Sequence, residues 1–166
     1  MNNLLPTLDT LKVRYPDYFP SDKCFFCNLE TEDMDHLMTC QQLSHIRNKI
    51  AQEVTTKILN KVKNKLTFQD PHIIQLKLNS WIKNTITNNH NIMTRGFARS
   101  DDLYNLSRII PLKNDQHHII RWTVKALQHS FMNHIWKPRN QKYNTWCMKH
   151  HRTTLKQYIR FFRPFS

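Results

Sequence analysis

The chain has one glycine, Gly96, in 166 residues. Tight turns in sheet proteins draw on glycine for positive φ, so this scarcity argues for an all-α fold. No run of about 18 apolar residues occurs, and none of the sequence reads as a membrane span. The opening MNNLLPTLDTLKVRYPDYFP has no apolar stretch between a basic flank and a cleavage site, so it does not read as a secretory signal. There is no glycine-rich loop to cradle a nucleotide phosphate and no Tyr-x-Asp-Asp polymerase signature. Asp101-Asp102 is accounted for by the first turn of a helix capped at Ser100. His117-His118 and His150-His151 have no acidic or cysteine neighbour, and Cys147 between Trp146 and Met148 reads as a small core residue. The expectation is a protein that is not an enzyme and takes no small-molecule substrate.

Acid is also missing from one end. After Asp115 there is no Asp or Glu, yet ten Lys and Arg follow. Residues 1–40 hold three Lys/Arg and seven Asp/Glu, whereas residues 41–166 hold 22 and five, for a net charge of +13. Such an imbalance points to a polyanionic partner, RNA or DNA first. Cations interleave with aromatics in residues 137–166, and Arg139, Arg152, Arg160 and Arg163 are the leading phosphate-binding residues. Arginine's planar fork matches phosphate oxygens.

What is present in concentrated form is cysteine and histidine. Three of the four cysteines fall within residues 24–40, in the pattern Cys24-x2-Cys27-x8-His36-x3-Cys40. Zinc takes four such ligands in a tetrahedron, and this spacing suits a metal better than a disulfide framework. The CxxC pair can clasp an ion from a tight turn, and His36 and Cys40 share one face of a helical turn. Glu32, Asp33 and Asp35 fall near the start of that helix, where the macrodipole favours acids. His45 also lies at ligand spacing from Cys40 and is the alternative to His36. Free thiols fit a reducing compartment, nuclear or cytoplasmic.

Residues 1–22 read as an irregular lead interrupted by Pro6, Pro16 and Pro20. A stripe of Leu43, Ile46, Ile50, Val54, Ile58, Val62 and Leu66 predicts a helix from Gln41 to Leu66, against which the knuckle would dock. Asp70-Pro71 starts the next helix, with Ile74, Leu78, Trp81 and Ile82 on its stripe. Asn88–Asn91 reads as a polar loop. A short helix carries Leu103, Leu106 and Ile110 and stops at Pro111. The next, capped by Asn114 or Asp115, carries Ile120, Val124, Leu127, Phe131 and Ile135. Trp136-Lys137-Pro138-Arg139 marks a kink or restart, after which Tyr143, Trp146, Leu155, Tyr158, Ile159 and Phe162 continue the helical period. The expected design is a zinc-binding knuckle with its lead (1–45) followed by a basic domain of about five helices (46–166).

The segment CFFCNLETEDMDHLMTC resembles the zinc-binding segment that follows the polymerase region of non-LTR retrotransposon reverse transcriptases. The shared features are Cys24, Cys27, Glu30, Thr31, His36, Leu37 and Cys40, with LPT, Arg14, Pro16-Asp17 and Tyr18 as the run-in. RGF at 95–97 and IWKPRN at 135–140 resemble helical tails of retroelement-derived reading frames. The resemblance implies a nucleic-acid-binding accessory region without its polymerase, binding zinc through Cys24, Cys27, His36 and Cys40. A retroviral nucleocapsid knuckle is a poorer match, because its histidine gap is shorter and rich in glycine. Two alternatives remain. One is a zinc-stapled protein-interaction module. The other is a degenerate metal-dependent nuclease, suggested by Pro16-Asp17 and Asp22-Lys23.

Overall fold

The computed structural model describes residues 6–62, 70–110 and 116–150. Among them the fold is all-α, and the one pairing of extended backbone is an isolated antiparallel bridge between Lys23 and Thr31. The helices are α1 (Leu8–Arg14), α2 (Met34–Thr39), α3 (Ser44–Val62), α4 (Pro71–Asn88), α5 (His90–Thr94), α6 (Ser100–Ile109), α7 (Gln116–Phe131) and α8 (Lys137–His150). A 3₁₀ turn at Gln41–Leu43 leads into α3, and a π-helical segment at Met132–Trp136 joins α7 to α8.

The predicted stripes form the core. Ile50, Val54, Ile58 and Val62 of α3 are buried against Leu78 and Ile82 of α4 and Leu127 and Phe131 of α7. Asp70 caps α4 by accepting a hydrogen bond from the His72 N–H (2.8 Å), and Pro71 fills the first turn, where a missing donor costs nothing. The same core holds Leu37 and Met38 of α2, so packing is continuous across the expected boundary at residues 45–46. The α2 helix rests on α4 and α5, and α3 reaches it through Arg47, which donates to the carbonyl oxygen of Cys40 (2.7 Å).

Three local expectations are corrected. The lead is not wholly irregular, because Leu8 and Leu11 of α1 are buried with Phe19 in a second small core. Asn88–Asn91 is a one-residue break at Asn89, after which α5 begins at once. Asn89 is buried because its side-chain amide donates to Asp102 (2.6 Å). Asp102, in the first turn of α6 as expected, is therefore also a buried bolt between that turn and the α4–α5 junction. It also accepts from the Arg99 N–H (3.1 Å), so Arg99, not Ser100, holds the N-cap of α6. At 132–136 the expected kink or restart takes the form of a π-helical segment, with the Lys137 N–H bonding five residues back to Met132 and α8 starting at Lys137. Proline lacks a donor and its ring crowds the carbonyl four residues earlier; a π turn just before Pro138 accommodates both. Leu66, Pro111, Asn114, Asp115, Leu155, Tyr158, Ile159 and Phe162 lie outside the described residues.

Candidate metal centre

The bridge between Lys23 and Thr31 closes a tight loop that carries the CxxC pair. The Cys24 N–H donates to the carbonyl of Glu30 (2.8 Å), and the Asn28 N–H to that of Cys24 (2.8 Å). Asn28 takes φ +57, in the left-handed region that asparagine tolerates better than most residues. This reversal folds Cys27 back toward Cys24. On the other side, Asp33 caps α2 by accepting from the His36 N–H (2.6 Å), a contact worth about 1 kcal/mol. One turn later the Cys40 N–H bonds to the carbonyl of His36 (2.6 Å), which puts both side chains on one face.

The Sγ atoms of Cys24, Cys27 and Cys40 and a ring nitrogen of His36 all lie within 4.8 Å of one another. Cys27 Sγ stands 3.3 Å from His36 Nε2. A tetrahedron with bonds of about 2.0–2.3 Å has edges of roughly 3.5–3.8 Å, so a small inward movement closes the set on an ion. His36 Nδ1 lies 3.4 Å from a carboxylate oxygen of Glu30. Donating Nδ1–H to that acid leaves the Nε2 lone pair for a metal, the usual orienting arrangement for a histidine ligand. Cys24, His36 and Cys40 are buried and Cys27 is half-buried.

Each sulfur also sits on backbone donors. Burial pushes the Cys24 thiol up to about 12, against the opposing pull of the Cys27 and Phe26 N–H groups. Burial raises Cys40 too, partly opposed by the Gln42 N–H. At Cys27 the balance reverses. Burial raises the thiol, but the N–H groups of Glu30 and Leu29, together with His36, bring it down to about 6. The cluster thus holds one ready thiolate and two thiols that must give up protons to a cation.

His45, the alternative ligand, is exposed on α3 outside this set. Among the described residues no other group of three or more His, Cys, Asp or Glu side chains could hold an ion. Asp22 pairs with Lys12 (3.3 Å), and Asp17 is exposed. Cys147 is half-buried against the Phe19 cluster, and burial raises its thiol. His117, His118 and His150 are exposed.

Arg139 is not a surface phosphate contact. It is 1 % exposed, and its Nε donates to Glu32 Oε1 (2.9 Å). The guanidinium is also flanked by the rings of Trp136 (5.1 Å), Tyr143 (5.3 Å) and Phe25 (5.5 Å). Glu32 is correspondingly buried and accepts further from the Leu8 N–H (3.2 Å) and the Phe25 N–H (3.4 Å). One carboxylate therefore ties α1, the CxxC loop and α8 together. Of the acids expected at the start of α2, Asp33 is its cap and Glu32 is this internal tie. Arg152, Arg160 and Arg163 lie outside the described residues. Nothing local in the sequence distinguishes Glu32 from Glu30, Asp33 and Asp35, and its partner is 107 residues away.

Comparison of the chain with protein-family models, with curated proteins and with solved structures gives no match.

Proposed function

We propose that the chain is a zinc-stapled, nucleic-acid-binding accessory protein of the kind found at the tail of retroelement reverse transcriptases, and that it is not itself an enzyme. The observation that carries the zinc reading is the closed donor set of Cys24, Cys27, His36 and Cys40. Four protein ligands fill a tetrahedron and leave no open position for a substrate or an activated water, as structural rather than catalytic zinc requires. Three thiolates and an imidazole favour zinc over calcium or magnesium, which take oxygen ligands. The ion would fasten the CxxC loop to α2 and leave the chemistry to others.

The nucleic-acid part rests on charge and on the resemblance of residues 24–40. The excess of cations after residue 40 is one-sided, and residues 116–150 contain no acid. A nuclear or cytoplasmic setting fits the free thiols. No helix among the described residues is long and apolar enough to cross a membrane.

The experiment is binding of the purified zinc-loaded chain to labelled RNA and DNA over a salt series, with heparin of equal charge as competitor. The expected result is nucleic-acid binding that weakens with salt. Capture of an acidic protein with no affinity for either nucleic acid would favour the interaction-module reading instead.

A further inference from the structure

An open groove of about 560 Å³ runs between the CxxC loop and α8, lined among others by Phe25, Lys142, Trp146, Lys149 and His150. We propose that this groove seats a single strand of nucleic acid, with Lys142 and Lys149 on its phosphates and the His150 ring beneath one of its bases. The proposal names the surface for the nucleic-acid reading above and rests on that reading.

Three observations carry it. The first is charge: no acid lines the groove. The second is spacing. Lys142 and Lys149 are both exposed and lie seven residues apart on α8. Two helical turns put them on one face about 10.5 Å apart, far enough to meet different phosphates of one strand. Lys142 reaches across from α8 to the CxxC loop. Its Nζ donates to the carbonyl of Phe25 (3.2 Å) and lies 5.0 Å from the Phe26 ring centre. The third is a series of stacked rings that leads from the interior to the surface. Phe19 is buried and stacks with Trp146 (5.7 Å, 22°), which stacks with exposed His150 (4.5 Å, 21°). The His150 Nδ1–H donates to the Trp146 carbonyl (2.9 Å), which fixes the ring as a flat platform. A base can stack on such a ring only when it is unpaired and splayed from its neighbours, which selects a single strand over a duplex. An acidic peptide could satisfy the lysines but offers no planar partner for the ring.

The test uses the zinc-loaded full chain and anisotropy with labelled single-stranded RNA and DNA of about 12 nucleotides, the size range of such sites. A duplex of equal length, a polyglutamate peptide and anionic vesicles are the comparison ligands. The groove variant is Lys142→Gln with Lys149→Gln. The control is Arg121→Gln with Lys125→Gln, which removes the same charge from exposed positions of α7. The groove variant should bind single strands about tenfold more weakly, with a log–log salt slope shallower by about 1.4, or about 0.7 for each lost phosphate contact. The control should change little, and His150→Ala should weaken single strands but not duplex. Lys149→Glu alone, at an exposed site, repeats the test if the double variant fails to match wild-type helicity and zinc content. Equal losses in groove and control variants, or a larger loss in the control, would overturn the groove while nucleic-acid binding stood. Wild-type chain that bound polyglutamate or vesicles but no nucleic acid would defeat both.

Discussion

Glu30 and His45 mark the difference between a residue near the metal centre and one merely at ligand spacing. Glu30 is largely exposed yet faces His36 Nδ1 at 3.4 Å, so Glu30→Gln should weaken zinc binding about tenfold while leaving the fold intact. Competition with a chromophoric chelator measures this. His45→Ala should have no effect on the same assay. The thiols set the pH dependence. Near neutrality Cys27 is largely a thiolate, whereas Cys24, at about 12, and Cys40, also raised, hold protons. Zinc must displace those two, so calorimetry in buffers of different ionisation enthalpy should find about two protons released per ion near pH 7. Affinity should rise with pH and fall in acid. Without metal the sign for stability is reversed. A thiol whose folded value lies above its unfolded value of about 8.5 favours the fold below that pH. Its contribution is then lost as pH climbs toward 12. The metal-free knuckle should therefore open in alkali, as near-ultraviolet circular dichroism can record.

Among the elements, α8 was the hardest to foresee. Its helical period was legible from Tyr143, Trp146 and Cys147, which face the Phe19 cluster. The clustering of Cys24, Cys27, His36 and Cys40 was legible too, because turn and helix spacing are local properties that sequence displays directly. The role of Arg139 was not. In sequence it is one cation among eight in an acid-free tail, and only folding brings Glu32 to it across 107 positions. Asp102 reads correctly as a first-turn acid, but its second role does not show in sequence, because its partner Asn89 sits at the α4–α5 junction 13 positions away. Pro138 signalled a disturbance but not its form, since a π turn and a kink answer the same missing donor. The Glu32–Arg139 tie yields a definite expectation. Glu32→Gln or Arg139→Met alone should each cost about 3–5 kcal/mol in chemical denaturation, because the surviving charge stays buried without its partner. The double variant should cost much less than the sum of the two.

At the scale of the whole molecule, the candidate ligands and the helices share one core, since Cys24 and Cys40 belong to the same buried cluster as Ile50, Leu78 and Phe131. Removing zinc should release the loop and α2 while α3, which packs on both α4 and α7, keeps its amide protection together with them. Hydrogen exchange before and after chelation would show protection lost at 22–40 and retained at 50–58, 78–86 and 123–131. Uniform loss over all of these segments would mean that the ion holds the entire fold. The central claim is narrower and can be met directly by X-ray absorption at the zinc edge of the purified chain. The account predicts one zinc per chain with three sulfur neighbours at about 2.3 Å and one nitrogen at about 2.0 Å, unchanged in His45→Ala and altered in His36→Ala. A shell with an open water position, or one that His45→Ala disrupts and His36→Ala does not, would contradict it.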